Sequence, residues 1–422
     1  MVIRMEFKTV RGMRDFLPEK ARKKKFIEET CKRIFELYGF EPLETPIVEE
    51  LTLLTKKGSA GAEIEQELYT FEDKAARKLG LRFDLTVPLA RVVASNKQLA
   101  MPFKRYQIGR VYRYDRPQAK RYREFTQADV DIIGVSSVLA EFELIALSYD
   151  VVKALGIEAC LTINSRRLLE SLALASNVRK EQLKECFRVI DKAEKFGWSA
   201  VEKELEEKGI CTELLDIVKR NDLNAAEEKI KEKKLSTKGL EEIKELMGYL
   251  KAQQLSEFVK FDLALARGLD YYTGIVMEMK IASGPSIGGG GRYDKLIGLY
   301  GSQDLPATGI SFGVDRILDT IEEKLTCETA TKVFVIPIGK EMIMEALELT
   351  QNIRKLGINA EFDLMQRGIS KNLEYASKKG IPYVIILGQK ELREKSFKLR
   401  DMKSGEERFI GLAELEKLKE IL

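Results

Sequence analysis

Residues 105–129 read RYQIGRVYRYDRPQAKRYREFTQAD, and this stretch decides the architecture of the front of the chain. Apolar and polar residues alternate on either side of a polar stretch, 115–120, that contains Pro117. The pattern predicts strands over 103–114 and 121–133 joined by a basic loop. Strands linked by so short a loop pair antiparallel, because parallel neighbours need a long crossover. From Lys104 to Arg123 there are eight Lys or Arg residues against one acid, Asp115. Arginine dominates, and its planar fork suits oriented contacts with phosphate or carboxylate. Arg113 stands at the end of the first strand, where that fork can meet an anion. Gln127, Asp129 and Asp131 alternate on the second strand and so share one face. Polar side chains repeated on a single sheet face fit a ligand floor better than a core. A solvated basic face is the plain alternative.

Outward from this hairpin, residues 20–38 carry Phe26, Ile27, Ile34 and Phe35 at helical spacing, and Gly39 ends the helix. Residues 40–50 contain Pro42 and Pro46 and read as an extended edge. Strands are expected over 67–73 and 79–85, a helix over 87–96, a helix over 137–155 and a strand over 158–163. Residues 168–254 read almost wholly as helix, an insertion within a strand-rich context. Strand-like sequence resumes over 261–265 and 275–281, before the glycine run Gly288 to Gly291. From residue 332 onward strands (332–337, 359–363, 383–387) alternate with helices (341–355, 369–379), and a possible edge hairpin follows at 398–410. That is a small α/β domain with a largely parallel sheet. The expected organisation is an α+β domain in two parts, 1–167 and 255–325, a helical insertion at 168–254 and an α/β domain at 330–422. The antiparallel front sheet is not a Rossmann fold, no Walker A sequence is present, and the glycine run does not open a helix after a strand.

No histidine occurs among the 422 residues. Histidine general bases, Ser-His-Asp arrangements and histidine-bearing zinc sites are thereby excluded. The chemistry must rest on arginines, carboxylates, tyrosines and backbone groups. Hydrophobic residues make up 44% and charged residues 33%, which fits a folded soluble protein. No stretch reaches roughly 18 uncharged apolar residues, so no membrane span is expected. Five scattered cysteines without a CxxC pair fit a reducing cytoplasm. Net charge is +4, so any nucleic-acid contact must come from local patches rather than bulk charge. Two further patches stand out. ARGLDYYTGIVMEM, residues 266–279, puts Arg267 next to Tyr271 and Tyr272. IGGGGRYDKLI with ATGISFGVDRIL, within residues 287–318, alternates Gly309, Ser311 and Gly313 ahead of Arg316 at a helix start. Small residues there let a flat ring approach the backbone. Several fixed arginines on an antiparallel sheet suit a bent nucleotide triphosphate attacked at its α-phosphate.

These stretches resemble the histidyl-tRNA synthetase family of class II aminoacyl-tRNA synthetases across essentially the whole chain. RGMRDFLP, residues 11–18, is similar to the family's opening segment, and YGFEPLETPIVE to motif 1, a dimer-forming element. YRYDRPQAKRYREFTQADVDIIG resembles motif 2 and GISFGVDRIL motif 3, while ARGLDYYTG and GGGGRYDKLI are typical of histidyl enzymes and their close paralogue. The last domain resembles the anticodon-binding domain shared with prolyl, threonyl and glycyl enzymes. The resemblance implies ATP-dependent activation of L-histidine and its transfer to histidine tRNA, with ATP and Mg2+ as cofactors. It implies Arg113 and Arg267 on the α-phosphate, with Arg121 and Arg316 on the outer phosphates. Glu124 is implied on the ATP side. Asp84, Thr86 and Gln127 match the residues that hold the amino acid, and Gln127 is counted with Arg113 and Arg267 as catalytic. Asp131 and Tyr272 match readers of the imidazole, with Tyr271 and Tyr293 closing the pocket. Gln118 is implied at the tRNA acceptor end, and Arg367 is a candidate contact for the anticodon. A cytoplasmic homodimer that binds neither membrane nor DNA is expected. Asp84 and Asp131 stand where bacterial members commonly carry glutamate, and Thr126 and Tyr114 fill positions where the family carries histidine. The related regulatory subunit of ATP phosphoribosyltransferase generally lacks the last domain, which is present here. The missing residue is then the substrate: a chain without histidine can be translated when histidine is scarce.

Overall fold

In the computed structural model, residues 7–56, 66–115, 122–266, 271–281, 284–301 and 303–422 are described. The helix Pro18–Leu37 starts on a proline, whose missing N–H is no loss at a first helical position. Ile27, Cys31, Ile34 and Phe35 form its buried stripe. Gly39 follows with φ of +74°, a left-handed step that favours glycine.

The chain forms two compact units, Met1–Leu325 and Thr326–Leu422. The strands of the first are β1 (Glu41–Pro42), β2 (Val48–Glu50), β3 (Thr70–Glu72), β4 (Lys78–Leu81), β5 (Phe103–Tyr112), β6 (Glu124–Ile133), β7 (Ala159–Ser165), β8 (Val259–Phe261), β9 (Ile275–Ile281), β10 (Ser286–Arg292) and β11 (Ala307–Gly313). Eight of them form one sheet in the order β1-β5-β6-β11-β10-β9-β7-β8. Its inner pairs from β5 across to β7 are antiparallel. The outer strands β1 and β8 join their neighbours parallel. β2, β4 and β3 make a separate small antiparallel sheet. Pro42 lies in the edge strand, where its missing N–H breaks no central ladder.

The large sheet divides its two faces by residue parity. Tyr106, Ala128, Val130, Ile132, Ile310 and Phe312 point to one side and pack in the main apolar core. The helices Pro18–Leu37, Leu139–Ala154 and Val314–Ile321 cover that side. Each large side chain so buried contributes about 1.5–3 kcal/mol. The other face is the polar one. The insertion is helical from Arg166–Ala175 to Lys238–Ala252, and its core includes Leu172, Phe187, Ile190, Leu205 and Leu215.

Some expected strands are shorter or displaced. Residues 261–265 do not continue as strand, because β8 ends at Phe261 and Asp262 turns the chain. Its Oδ1 accepts from Ala264 N at 2.9 Å, and Leu265 N donates to the carbonyl of Asp262 at 3.1 Å. Strand 79–85 stops at Leu81, since Asp84 accepts from Val87 N at the start of the helix Thr86–Ser95. The glycine run lies in mid-strand, on β10.

The second unit carries β12 (Val333–Pro337), β13 (Ala360–Phe362), β14 (Tyr383–Leu387), β15 (Ser396–Asp401) and β16 (Glu407–Gly411) in the order β13-β12-β14-β15-β16. The first three are parallel, and the hairpin β15–β16 joins antiparallel. Val333, Val335 and Ile385 face one core with Leu349 and Ile353. Phe334, Ile336 and Val384 face another with Ala376. Burial on both faces accounts for near-continuous apolar runs in β12 and β14. No helix among the described residues is long and apolar enough to cross a membrane.

Candidate active site

Three rows of residues cross the polar face of the large sheet. Arg105 lies opposite Asp131, which lies opposite Gly309, which lies opposite Gly291. Gln107, Asp129, Ser311 and Gly289 form the second row, and Gly109, Gln127 and Gly313 the third. Residues opposite one another in an antiparallel pair present side chains to the same face. The alternation read from residues 127–131 thus becomes a floor of one amide and two carboxylates, walled on the far side by glycines. An added Cβ at Gly309 would sit 2.0 Å from Asp131 Oδ1. At Gly290 it would meet the Gly309 carbonyl oxygen at 2.0 Å. The glycine run lets β10 and β11 approach and leaves room above them.

Arg105 is fully buried, and its Nη2 lies 2.6 Å from Asp131 Oδ2. The Tyr293 hydroxyl donates to Asp131 Oδ1. Tyr271 packs edge-on against both Tyr272 and Tyr293, with centroids 5.0 and 5.9 Å away. Gln127 Nε2 donates to Ser311 Oγ at 2.7 Å. Arg113 Nε donates to the Phe83 carbonyl at 3.0 Å, and its guanidinium lies 5.4 Å from the Phe125 ring centre. Arg316 Nη1 donates to the Ser286 carbonyl at 3.1 Å. Tyr293 is aimed by its neighbour Arg292, whose Nε and Nη2 each reach a Glu141 carboxylate oxygen at 2.8 Å.

Burial pushes the floor carboxylates up. Asp129 is raised to about 7, against the pull of Arg105, and Asp84 to about 6, against the Val87 N–H and Arg113. Asp131 is raised by burial too, with Arg105 and Tyr293 opposing. Burial also raises the Tyr271, Tyr272 and Tyr293 hydroxyls, so they stay protonated donors near neutral pH.

A cavity of about 300 Å³ opens over this floor. Asp84, Thr86, Arg113, Gln127, Asp131, Tyr271, Tyr272, Tyr293 and Arg316 all line it. Arg121, Gln118 and Arg267 lie outside the described residues. Glu124 is a correction: the structure does not bring it to the cavity. It has the parity of Thr126 and Ala128, opposite to Gln127, and pairs with Arg110 Nη1 at 3.2 Å. Phe125, one residue on, has the floor's parity and lines the cavity in its place. Arg367 belongs to the second unit, where its N–H donates to Asp363 Oδ2 at 2.8 Å and its guanidinium lies 4.8 Å from the Tyr375 ring centre. Sequence reading gave no role to Phe125, Asp115, Tyr122 or Arg105; it set Asp129 on the ligand floor and Ser311 among the small residues of its strand without assigning either a contact. Alternation with Gln127 was signal enough for Phe125 and Asp129. Arg105 had none, since an arginine in a basic run looks solvated.

Residues 12–317 match the family described as Histidyl-tRNA synthetase, and residues 332–420 match the Anticodon binding domain. The chain is 38% identical over 423 residues to Histidine–tRNA ligase 1 of Bacillus cereus, covering 97% of each. It is 38% identical over 422 residues to the Histidine–tRNA ligase of Wolinella succinogenes, covering 95% of each. The crystal structure of histidyl-tRNA synthetase from Nostoc sp. PCC 7120 superposes with a TM-score of 0.87 at 30% identity, covering 99% of this chain and 100% of that one. An ATP phosphoribosyltransferase regulatory subunit/histidyl-tRNA synthetase from Bacillus halodurans superposes at 0.76 with 26% identity, covering 92% and 100%.

Proposed function

The chain belongs to the histidyl-tRNA synthetase family, and from that premise we propose that it activates L-histidine with ATP and transfers it to histidine tRNA. One observation carries the reading. A single cavity joins buried carboxylate and amide acceptors at its floor to Arg113 and Arg316 on its walls. An amino acid's ammonium meets the first set and a nucleotide's phosphates the second.

In the first step the histidine carboxylate attacks the ATP α-phosphorus in line, and the bond to pyrophosphate breaks. The carboxylate is already ionised, so the protein needs no general base, consistent with a chain without histidine. Arg113 and Arg267 hold the α-phosphoryl oxygens as charge builds, and Arg121 and Arg316 steady the leaving pyrophosphate. Asp84, Thr86 and Gln127 orient the amino acid, and Asp131 with the three tyrosines bounds its ring. Phe125, a flat ring in the cavity beside Arg113, offers a face to adenine. In the second step the terminal tRNA hydroxyl attacks the acyl carbon, its proton passes to a phosphate oxygen, and AMP departs. Among the described residues no group of three or more acidic or thiol side chains is placed to hold an ion. Magnesium, implied by ATP, would when bound neutralise charge on the triphosphate.

The working form is a cytoplasmic homodimer. Residues 168–254 reach the tRNA acceptor arm, and Gln118 meets its end. Residues 330–422 take the anticodon, where Arg367 on Tyr375 supplies a stacked cation next to unpaired bases. The test is pyrophosphate exchange with each of the twenty amino acids, followed by charging of histidine tRNA. Exchange driven by histidine alone is the expected result. Exchange with another amino acid, or none with histidine, overturns the proposal.

A further inference from the structure

The cavity floor holds more acceptors than its own donors satisfy. Asp131 is engaged through both oxygens, by Arg105 and by Tyr293. Asp129 Oδ1, Asp84 Oδ2 and Gln127 Oε1 are buried acceptors that meet no hydrogen-bond donor. All three residues line the cavity. Buried polar atoms are normally paired, and three acceptors left open around one space describe a ligand group that brings its own donors and a positive charge. An ammonium group has three N–H bonds and one charge. Asp131, the floor acid already countered by an arginine, is the poorest of the acids for that task.

Resting on the function proposed above, we infer that Asp129 is a further substrate-binding residue, which takes the α-ammonium of the bound amino acid together with Asp84 and Gln127. Asp131 is thereby left to the ring side of the pocket.

The groups facing Asp129 come from every element around it. β5 contributes Arg105 and the neutral Gln107, β6 contributes Asp131, and β11 contributes Ser311, whose hydroxyl bonds Asp129. Arg82 and Asp84 face it from the segment after β4, and Tyr272 from the turn before β9. Arg105 pairs with Asp131 through Nη2 and leaves Nε and Nη1 without a hydrogen-bond partner, and Arg82 is tied to the Thr45 and Arg110 carbonyls at 2.7 and 2.9 Å. Asp129 is raised to about 7 chiefly by burial, and Asp84 to about 6. An ammonium placed against them favours their charged forms, so binding drives off protons near neutrality. The sign follows: histidine affinity is weak at acid pH, grows as pH rises through about 7, and falls again where the amino acid's own ammonium loses its proton.

The test uses the full chain and Asp129→Asn, with three probes: histidine, histidinol (amine without carboxylate) and imidazolylpropionate (carboxylate without amine). Above the titration, D129N should raise KM for histidine about 10- to 100-fold while KM for ATP stays within about twofold. Histidinol binding should weaken in step, and imidazolylpropionate binding should not change. Calorimetry in buffers of different ionisation heat should show the wild type releasing protons as histidine binds, and D129N releasing fewer. An unaltered histidine KM in D129N, an equal loss for imidazolylpropionate, or wild-type binding without proton release would each overturn the inference. The wild-type measurement stands even if D129N does not fold. Absence of histidine-dependent exchange in the wild type strikes the underlying function; normal exchange with an indifferent D129N strikes this inference alone.

Discussion

Arg105 and Asp131 show how a single residue can carry both fold and function. Their ion pair, 2.6 Å long and almost wholly out of water, sits beneath the cavity. Replacing either partner strands the other charge in the core, at a cost of about 3–5 kcal/mol, while replacing both by apolar residues of similar volume is often neutral. Asp131→Ala should therefore lower stability by about that much in urea unfolding. It should also weaken histidine activation far more than ATP binding. The double variant Arg105→Met with Asp131→Leu should recover stability but not histidine-dependent exchange. A D131A protein as stable as wild type would show that the pair does not hold the floor. This role was not legible in the sequence. Arg105 belongs to a run of eight basic residues, and burial, which separates it from the others among the described residues, is a tertiary property. Asp129 was half legible: alternation put it on the face of Gln127, but nothing in the sequence said which floor acid would keep an open oxygen.

At the scale of elements, a short N-terminal segment clasps the catalytic sheet. Arg123 N donates to the Gly12 carbonyl at 2.8 Å. Arg14 bonds Asp315 at 2.8 Å and Asp319 at 3.0 Å, and stacks 3.6 Å over the Tyr122 ring. The Tyr122 hydroxyl donates to Asp319 at 2.7 Å, and Asp315 accepts from Thr126 N at 2.7 Å. Three distant stretches, residues 12–14, 122–126 and 315–319, are locked together, and Tyr122 and Asp315 line the cavity. Arg14 is a positioning residue, since it acts through Tyr122 and Asp315. Arg14→Ala should cut kcat for exchange by about tenfold, leave KM for histidine unchanged and keep the fold. Lysine at position 14 should rescue only in part, because it cannot bond two carboxylates through a planar fork. A histidine KM that rises with the fall in kcat would point to general loosening instead. The elements themselves were largely legible: period two gave β5, β6 and β9, and helical spacing gave Pro18–Leu37. The misreadings fall where parity or side-chain capping decides. Glu124 and Phe125 are adjacent, and parity with Gln127 puts Phe125 rather than Glu124 on the cavity face. Asp84 and Asp262 end strands through their own side-chain bonds, a local competition that apolar patterning does not report.

At the scale of the molecule, the chain divides its work between two units. The first holds every described cavity residue. The second, Thr326–Leu422, has apolar cores on both faces of a five-stranded sheet, with Val333, Val335, Phe334 and Ile336 of β12 at most 1% exposed. A unit of that size with two covered sheet faces has the burial needed to fold alone. Residues 326–422 expressed separately should therefore unfold in one cooperative transition. Residues 1–325 should keep histidine-dependent pyrophosphate exchange, because the proposed adenylation chemistry draws on nothing beyond Leu325. They should lose efficiency in charging tRNA, since the second step also requires the RNA that the second unit is proposed to hold. The decisive comparison is the ratio of exchange to charging in the fragment and in the whole chain. A fragment that loses both in equal measure would mean that the second unit supports the first structurally rather than by holding RNA.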